Sequence, residues 1–191
     1  MNITLSNNVL DELDTSRIEH VHPTMQQWFH LRSGKEHYRL LLYLTTQYFN
    51  GIKIADIGTY RGASALALAQ NPKNKVFSVD LVEHAGIVPK DNITFCVGNL
   101  YTDSAIQNNI LDSYFIFMDI DHMYTGEMWI YKLLTENNWK GILICDDINL
   151  NNNMRKFWKE VSLPKIDVTK YGHATGTGII NFTNDLTFNL K

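Results

Sequence analysis

The stretch IADIGTYRGASALALAQ, residues 54–70, has the strongest local pattern in the chain. A short apolar run ends at Asp56, two glycines follow at positions 58 and 62, and small and apolar residues then continue at helical spacing. Strand, tight turn and helix in this order are typical of an α/β domain that binds a ligand at the turn. A dinucleotide fingerprint needs G-x-G-x-x-G, but Tyr60 replaces the middle glycine that lets the backbone approach a pyrophosphate. The loop therefore favours a ligand without a diphosphate.

On both sides of this stretch, short apolar runs alternate with helical patterns. The patterns predict helices over 35–49, 103–111, 126–138 and 154–161, besides the one ending at Gln70, and strands over 53–57, 75–81, 93–98, 114–120 and 141–147. Two further strands, 165–171 and 178–184, have no helix between them, which favours an antiparallel pair. The predicted fold is α/β: a Rossmann-like three-layer sandwich with a seven-stranded, mostly parallel sheet and an antiparallel C-terminal strand pair.

Composition limits the class of protein. The 191 residues suit one domain, with 1–33 predicted as an N-terminal helical extension packing on a core formed by 34–191. The net charge is −3 without a basic cluster, which argues against a nucleic-acid or anionic-membrane partner. The apolar runs are too short to span a bilayer. We expect a cytoplasmic protein with a small-molecule partner, and a homodimer is left open.

Such sheets bind ligands beyond the carboxyl ends of their strands, and the glycine turn lies at one of these ends. Gly58 allows the turn, and Gly62 allows close approach at the helix start. Ser64 adds a hydroxyl near free helix N–H groups that favour a carboxylate, and Asp56 suits an amino group. Thr59, inside the turn, is a further candidate contact. These features predict a site for the amino-acid end of a ligand.

The next two strand ends can hold a nucleoside. Asp80 ends the second strand of the sheet, where a carboxylate can accept both hydroxyls of a ribose. Leu81 and Val82 can pack on a purine face, and the amide of Asn99 can bind the purine edge. Amino acid, ribose and purine together describe S-adenosylmethionine.

The motifs DIGTYRGAS, VFSVDL, VGN, FMDIDH and CDDIN, in this order, resemble those of class I S-adenosylmethionine-dependent methyltransferases. The spacing D-x-G-x-x-x-G-x-S is most similar to the metal-dependent O-methyltransferases, both the catechol/caffeoyl type and the sugar-modifying type. The resemblance covers residues 34–182. It implies an enzyme that transfers the sulfonium methyl group to an acceptor oxygen.

Acids also follow the fourth and fifth strands. Asp119 and Asp121 point the same way if the backbone stays extended, and the adjacent acids at 146 and 147 can both turn into the cleft beyond the strand end. Carboxylates in one cleft repel each other unless a cation lies among them, and oxygen ligands suit Mg²⁺, Mn²⁺ or Ca²⁺ rather than zinc. By resemblance, Asp119, Asp146 and Asp147 match the three metal ligands of these enzymes, which predicts Mg²⁺ or Mn²⁺.

The resemblance leaves the general base open between two neighbours. Catechol-type enzymes have a lysine base where this chain has His122, whereas in the sugar type the acid corresponding to Asp121 is the proposed base. Asp147 also follows the sugar type, since the catechol type has asparagine there. We expect Asp121 as the base and a sugar or polyol hydroxyl as the acceptor, with a catechol-like acceptor as the alternative. His173 is a further candidate facing the acceptor, while the histidines at 20, 22, 30 and 37 show no metal-ligand spacing.

Three other interpretations stay open. The first is a metal-independent methyltransferase of the same fold, with structural carboxylates. The second, a nicotinamide-dependent dehydrogenase, is disfavoured by the glycine spacing. The third is a non-catalytic nucleotide-binding module.

Overall fold

The structure, a computed structural model, describes residues 1–183 and 185–191. Its strands, in chain order, are β1 (Asn2–Leu5), β2 (Lys53–Ile57), β3 (Lys75–Asp80), β4 (Ile93–Val97), β5 (Phe115–Met118), β6 (Ile142–Asp146), β7 (Lys165–Asp167), β8 (Thr177–Asn181) and β9 (Thr187–Leu190). Its α-helices are α1 (Asn7–Asp11), α2 (Gln26–Phe29), α3 (Tyr38–Gln47), α4 (Ala63–Leu68), α5 (Ser104–Leu111), α6 (Tyr124–Glu136) and α7 (Asn152–Glu160), and a 3₁₀ turn, Pro23–Met25, precedes α2.

Seven strands form the central sheet, in the order β4-β3-β2-β5-β6-β8-β7. The first five along the chain pair in parallel, and β8 runs antiparallel to both of its neighbours. The predicted fold is therefore confirmed, including the antiparallel C-terminal pair. The strand predicted over 178–184 ends at Asn181, and position 184 lies outside the described residues.

Helices cover both faces of this sheet. In β5, Phe115 and Phe117 belong to one apolar cluster, whereas Ile116 and Met118 belong to the other, as the alternation of side chains along a strand requires. Every residue of β5 is buried. Burial on both faces explains why the central strands have nearly continuous apolar sequences.

The strand order places the functional cleft. From β2 the chain adds β3 and β4 on one side, then crosses to β5 and β6 on the other. The carboxyl ends of β2 and β5 therefore flank the point where the direction of winding reverses, and ligands of doubly wound sheets bind at such a point.

The N-terminal segment differs from the helical extension expected over 1–33. Its first strand, β1, pairs in parallel with β9 in a separate two-stranded sheet, with Asn2 opposite Thr187. Ile3 and Leu5 are fully buried, so the segment does pack on the core. Each of these four-residue strands is stabilised by a partner at the other end of the chain, and a local pattern cannot reveal such pairing. Among the described residues, no helix is both long and apolar enough to cross a bilayer.

Candidate active site

A glycine turn joins β2 to α4 at the carboxyl edge of the sheet. Gly58 has a φ of 96°, and a Cβ built on it would lie 1.7 Å from the backbone oxygen of Asp119. Only glycine therefore lets the ends of β2 and β5 approach this closely. Gly62, with a φ of 74°, is the left-handed residue that precedes the first turn of α4.

The turn also fixes the carboxylate of Asp80 at the end of β3. The backbone N–H of Tyr60, a residue with a left-handed φ of 42°, donates to Oδ2 of Asp80 at 2.8 Å. The backbone N–H of Val82 donates to Oδ1 at 3.1 Å, and Nε2 of His84 lies 3.4 Å from Oδ2. The acid is thus held in one orientation at the mouth of the cleft.

A cavity of about 520 Å³ opens at this edge of the sheet, and we call it the apolar cavity. Leu81 and Val82 are 58% and 59% exposed, so their side chains are available to cover a flat ligand. The cavity is lined by Ile57, Gly58, Tyr60, Val79, Asp80, Leu81, Val82, His84, Gly98, Leu100, Tyr101, Asp119, Ile120 and Asp121.

Asp56 does not reach this cavity, contrary to the expectation that it contacts a ligand amine. It is fully buried, and the hydroxyl of Ser78 donates to its Oδ2 at 2.6 Å. Burial raises the pKa of Asp56 to about 7. Ser64 and Thr59 are also buried, and the Thr59 hydroxyl is bonded to that of Ser78. Position 56 lies within the buried strand, before the chain turns outward, so its side chain points into the domain.

Asn99 is not among the residues that line the apolar cavity, and its expected contact with a purine edge stays a prediction. Its Oδ1 accepts a hydrogen bond from the backbone N–H of Tyr101 at 2.9 Å, within a turn after β4. The residues of this turn that line the apolar cavity are Gly98, Leu100 and Tyr101. The amide therefore shapes the loop, and its neighbours supply the wall.

A second cavity, of about 470 Å³, adjoins the first, and we call it the charged cavity. Four carboxyl groups and three imidazoles lie in its wall, and Trp28, 45% exposed, lines it as well. The cavity is lined by Thr24, Met25, Trp28, Glu36, His37, Tyr38, Tyr60, Asp119, His122, Asp146, Asp147 and His173.

His122 lies between two of the acids. Its Nε2 is 3.1 Å from Oδ1 of Asp119 and 2.9 Å from Oδ2 of Asp147. Both His122 and Asp147 have left-handed backbones, with φ of 56° and 57°. In an extended chain, side chains alternate between the two sides, so His122 would face away from Asp119, and Asp147 away from Asp146. The left-handed backbone at His122 and Asp147 breaks this alternation.

His173 connects the other acids. Its Nδ1 lies 3.1 Å from Oδ2 of Asp146 and 3.2 Å from Oδ1 of Asp147, so the two adjacent acids at the end of β6 do turn into one cleft. The Thr175 hydroxyl donates to Asp147, and Nε2 of His173 lies 3.6 Å from Oε1 of Glu36.

Charges in this cluster shift one another's protonation. Hydrogen bonding to Asp119 and Asp147 raises the pKa of His122 to about 10. Burial lowers the pKa of His173, but Asp146 and Asp147 outweigh it and raise the value to about 11. Burial likewise opposes ionisation of Asp146, but the imidazoles beside it lower its pKa to about 2.

These imidazoles offset the carboxylate charge. The sequence led us to expect that the acids converge only around a cation. Because three histidines lie among them, their convergence does not by itself require a metal. The same side chains do offer metal ligands, in three groups whose ligand atoms lie within 4.8 Å of one another: Glu36, His37 and His173; His37, Asp119 and Asp146; and Asp146, Asp147 and His173.

Asp121 lies apart from this cluster. It lines the apolar cavity together with Asp119, whereas its neighbour His122 lines the charged cavity. Oδ1 of Asp121 accepts from the backbone N–H of Met123 at 3.2 Å. The chain leaves β5 at Met118, so the extended alternation that would align 119 with 121 ends before Asp121.

Glu36 and His37 were not recognised in the sequence as site residues. They directly precede α3, and the residues that they approach come much later in the chain: Asp146 at the end of β6 and His173 before β8. The only signal is the polar pair EH at the start of a predicted helix, which is indistinguishable from a helix cap. Trp28 lines the charged cavity, whereas its neighbour Phe29 is buried in the core.

The two cavities meet at Tyr60 and Asp119, which line both. A ligand in the apolar cavity and one in the charged cavity would therefore approach each other at the carboxyl ends of β2 and β5. The arrangement suits transfer of a group between two bound molecules.

Solved structures share this architecture. Cofactor-bound Rv0187 from MTB has a TM-score of 0.55 and 16% identity, over 92% of this chain and 87% of that one. The SAH-bound methyltransferase PaMTH1 from Podospora anserina has a TM-score of 0.56 and 13% identity, over 77% and 78%. A Staphylococcus aureus protein provisionally assigned as a caffeoyl-CoA O-methyltransferase has a TM-score of 0.55 and 15% identity, over 75% and 82%.

No protein-family model and no curated protein matches the sequence. At these identities the structural likeness concerns the fold, so the activity has to be argued from the site. The chain has the Rossmann-like fold of these solved structures, as its sequence motifs predicted.

Proposed function

We propose that the protein is an S-adenosylmethionine-dependent methyltransferase that methylates an oxygen of a small hydroxylated acceptor with the help of a divalent ion. The observation that carries the proposal is the junction of two unlike cavities at Tyr60 and Asp119. One has the shape and apolar wall for a nucleoside. The other has the charges for a polar acceptor.

The apolar cavity supports the cofactor. Asp80 is oriented by two backbone N–H groups at the end of β3, where it would accept the ribose hydroxyls. Leu81 and Val82 would cover the purine. The two neighbours described above with SAH or a cofactor bound have the same fold, which favours the same ligand here.

The charged cavity supports a divalent ion. Asp119, Asp146 and Asp147 supply carboxylate oxygens: ligand atoms of Asp119 and Asp146 lie close enough to share an ion with His37, and those of Asp146 and Asp147 with His173. Nδ1 of His37 is buried in the same cluster without a hydrogen-bond partner among the described residues, as expected of a nitrogen that has a further ligand to bind.

Each residue of the site would have a separate role in the proposed reaction. S-adenosylmethionine supplies an electrophilic methyl group, and a divalent ion supplies the positive charge that lowers the pKa of an acceptor hydroxyl. Tyr60 and Asp119 border both cavities and would align the two reactants. Because Nε2 of His122 is already engaged by two carboxylates, Asp121 remains the proposed proton acceptor. Since Asp121 lines the apolar cavity, the acceptor hydroxyl would have to reach it at the junction of the two cavities, beside Asp119. His173 would hold Asp146 and Asp147 in place.

A sugar or polyol is the proposed acceptor. The charged cavity offers carboxylates and imidazoles that can bond several hydroxyls, and Trp28 offers a face on which a sugar ring can pack. A catechol would use the same aromatic face and is the alternative acceptor.

Four further expectations stay predictions from the sequence. They are a cytoplasmic location, a small-molecule partner, the lack of a nucleic-acid partner and a homodimer that is left open.

Isothermal titration and a transfer assay test the proposal. We expect S-adenosylhomocysteine to bind and NAD not to bind. We also expect transfer of label from S-adenosyl-[methyl-³H]methionine to members of a panel of hexoses and catechols, with loss of transfer in EDTA and recovery in excess Mn²⁺ or Mg²⁺. Binding of NAD in place of S-adenosylhomocysteine would contradict the proposal.

A metal-independent methyltransferase of the same fold is the second candidate. It is favoured by the three imidazoles that already offset the acids of the charged cavity. In that case transfer would continue unchanged in EDTA, and S-adenosylhomocysteine would still bind.

A further inference from the structure

His37 is the most deeply buried imidazole of the charged cavity. Its side chain is 4% exposed, and Nδ1 lies 3.1 Å from Oδ2 of Asp146. This approach lacks the direction of a hydrogen bond, so the nitrogen has no hydrogen-bond partner among the residues described. A buried polar nitrogen without a partner is uncommon in native proteins and calls for a reason.

Packing holds the ring in this position. The ring centroid of His37 lies 4.4 Å from that of Tyr38, 4.7 Å from that of Phe117 and 5.8 Å from that of His173. These three neighbouring rings restrict rotation of the imidazole. The packing of these rings therefore holds Nδ1 of His37 beside the acids.

The acids around it could share an ion with this nitrogen. A ligand atom of His37 and carboxylate oxygens of Asp119 and Asp146 all lie within 4.8 Å of one another. Asp146 and Asp147 form a second such group with His173. The possible donors are thus mixed nitrogen and oxygen, whereas the sequence indicated oxygen alone.

The type of donor decides which ion is preferred. Mg²⁺ prefers oxygen ligands and keeps several waters, whereas imidazole nitrogen suits first-row transition ions such as Fe²⁺, Ni²⁺ and Zn²⁺. Mn²⁺ also suits oxygen ligands, but as the first ion of that affinity series it accepts a nitrogen ligand more readily than Mg²⁺ does. A site made only of Asp119, Asp146 and Asp147 would satisfy Mg²⁺ well. A site that includes a buried imidazole would not.

We propose that His37 is a nitrogen ligand of the ion in the charged cavity, and that the site therefore prefers a first-row transition ion, such as Mn²⁺, over Mg²⁺. The inference rests on the metal site of the proposed function. It does not depend on which acceptor is methylated.

Calorimetry on the full-length protein, first stripped with a chelator, tests the preference. MnCl₂ and MgCl₂ are titrated separately without cofactor or acceptor. We expect Mn²⁺ to bind about tenfold or more tightly than Mg²⁺. In His37→Gln the Mn²⁺ affinity should fall by about tenfold or more, and the Mg²⁺ affinity should stay nearly the same.

A matched variant and a spectroscopic signal separate ligation from packing. His30→Gln changes an imidazole that bonds Thr15 and Gln26 outside the cavity, and it should leave both affinities unchanged. In pulsed electron paramagnetic resonance, bound Mn²⁺ should show modulation from ¹⁴N that is weaker in His37→Gln. Thermal unfolding in the absence of metal verifies that each variant is folded.

Three results would overturn the inference. One is equal affinity for the two ions in the unmodified protein. Another is an equal loss of both affinities in a folded His37→Gln, since the residue would then act only by packing. The third is no metal binding at all, which would also remove the metal from the proposed function, whereas binding of S-adenosylhomocysteine would keep the methyltransferase proposal.

Discussion

The apolar cavity and the charged cavity share Tyr60 and Asp119, but different parts of the chain build them. The apolar cavity is formed by strand ends and turns between Ile57 and Asp121, each next to a recognisable motif. The charged cavity adds residues that precede α3 and a histidine that precedes β8. The first can be traced along the sequence, and the second depends on how distant segments meet.

The largest expected effect comes from breaking the junction of the two cavities. Gly58→Ala would place a Cβ 1.7 Å from the backbone oxygen of Asp119 and impose a φ of 96° on alanine. We expect a loss of unfolding free energy of about 3 kcal/mol or more, because the backbone at both strand ends must move. Thermal or urea unfolding measures it.

Gly51→Ala is the matched control for that substitution. Its φ of 72° is also left-handed, but no heavy atom lies within 4 Å of the added Cβ. We expect a loss of about 1–2 kcal/mol from backbone strain alone. Equal losses at the two positions would mean that the close approach at Gly58 is unimportant.

The next prediction concerns the proposed base, Asp121, which lines the apolar cavity but not the charged cavity. Asp121→Asn should lower turnover about 10²-fold or more, the usual span for a general base, and leave S-adenosylhomocysteine binding nearly intact. Release of label from S-adenosyl-[methyl-³H]methionine to the best acceptor in the panel measures it. Asp91→Asn, in the loop before β4, is the control.

His122→Ala should cost less turnover than Asp121→Asn, since Nε2 of His122 is occupied by Asp119 and Asp147. A larger loss for His122→Ala would indicate the catechol-like arrangement. An aromatic hydroxyl would then become the preferred acceptor.

Removing the proposed ribose contact should weaken cofactor binding in the apolar cavity and leave metal binding in the charged cavity unchanged. Asp80→Ala should weaken S-adenosylhomocysteine binding by about 1.5–3 kcal/mol, the range for hydrogen bonds to a charged group, without changing Mn²⁺ binding. Calorimetry with each ligand measures both, and Asp91→Ala is the control. Unchanged affinity in a folded Asp80→Ala would remove the ribose assignment.

The smallest effect concerns Glu127 on α6, whose carboxylate oxygens are buried without hydrogen-bond partners among the described residues. Burial raises its pKa to about 7, with Asp121 adding to the rise and His122 opposing it. The folded state thus binds this proton more tightly than the unfolded state. The contribution of Glu127 to the free energy of unfolding therefore decreases as the pH rises from about 4.5 to about 7.

Glu127→Gln removes that ionisation. At pH 8 the unfolding free energy of this variant should exceed that of the unmodified protein by about 1 kcal/mol, and at pH 4 the two should be nearly equal. Urea unfolding measures both. A gain that is the same at both pH values would mean that the charge of Glu127 is not what destabilises the protein.

Among the individual assignments, those that rested on strand ends agree best with the structure. Asp80 lies at the end of β3 and lines the apolar cavity, as expected of a ligand-binding residue at the carboxyl end of a parallel strand. Asp56 shows the limit of this reasoning. It is the fourth residue of β2, one position before the end, and both faces of this central strand are buried, so its side chain lies within the domain.

The alternation of apolar runs with helical patterns, together with the glycine spacing, determined the sheet, its antiparallel C-terminal pair and the position of the cleft. These features follow from local periodicity and from the general rule that places ligands at the ends of parallel strands. Tertiary structure alone decided that β1 pairs with β9, that His122 rather than Asp121 joins the acids, and that His37 lies beside Asp146. Each of these depends on a left-handed backbone or on contact between segments far apart in the chain, and neither leaves a periodic trace in the sequence.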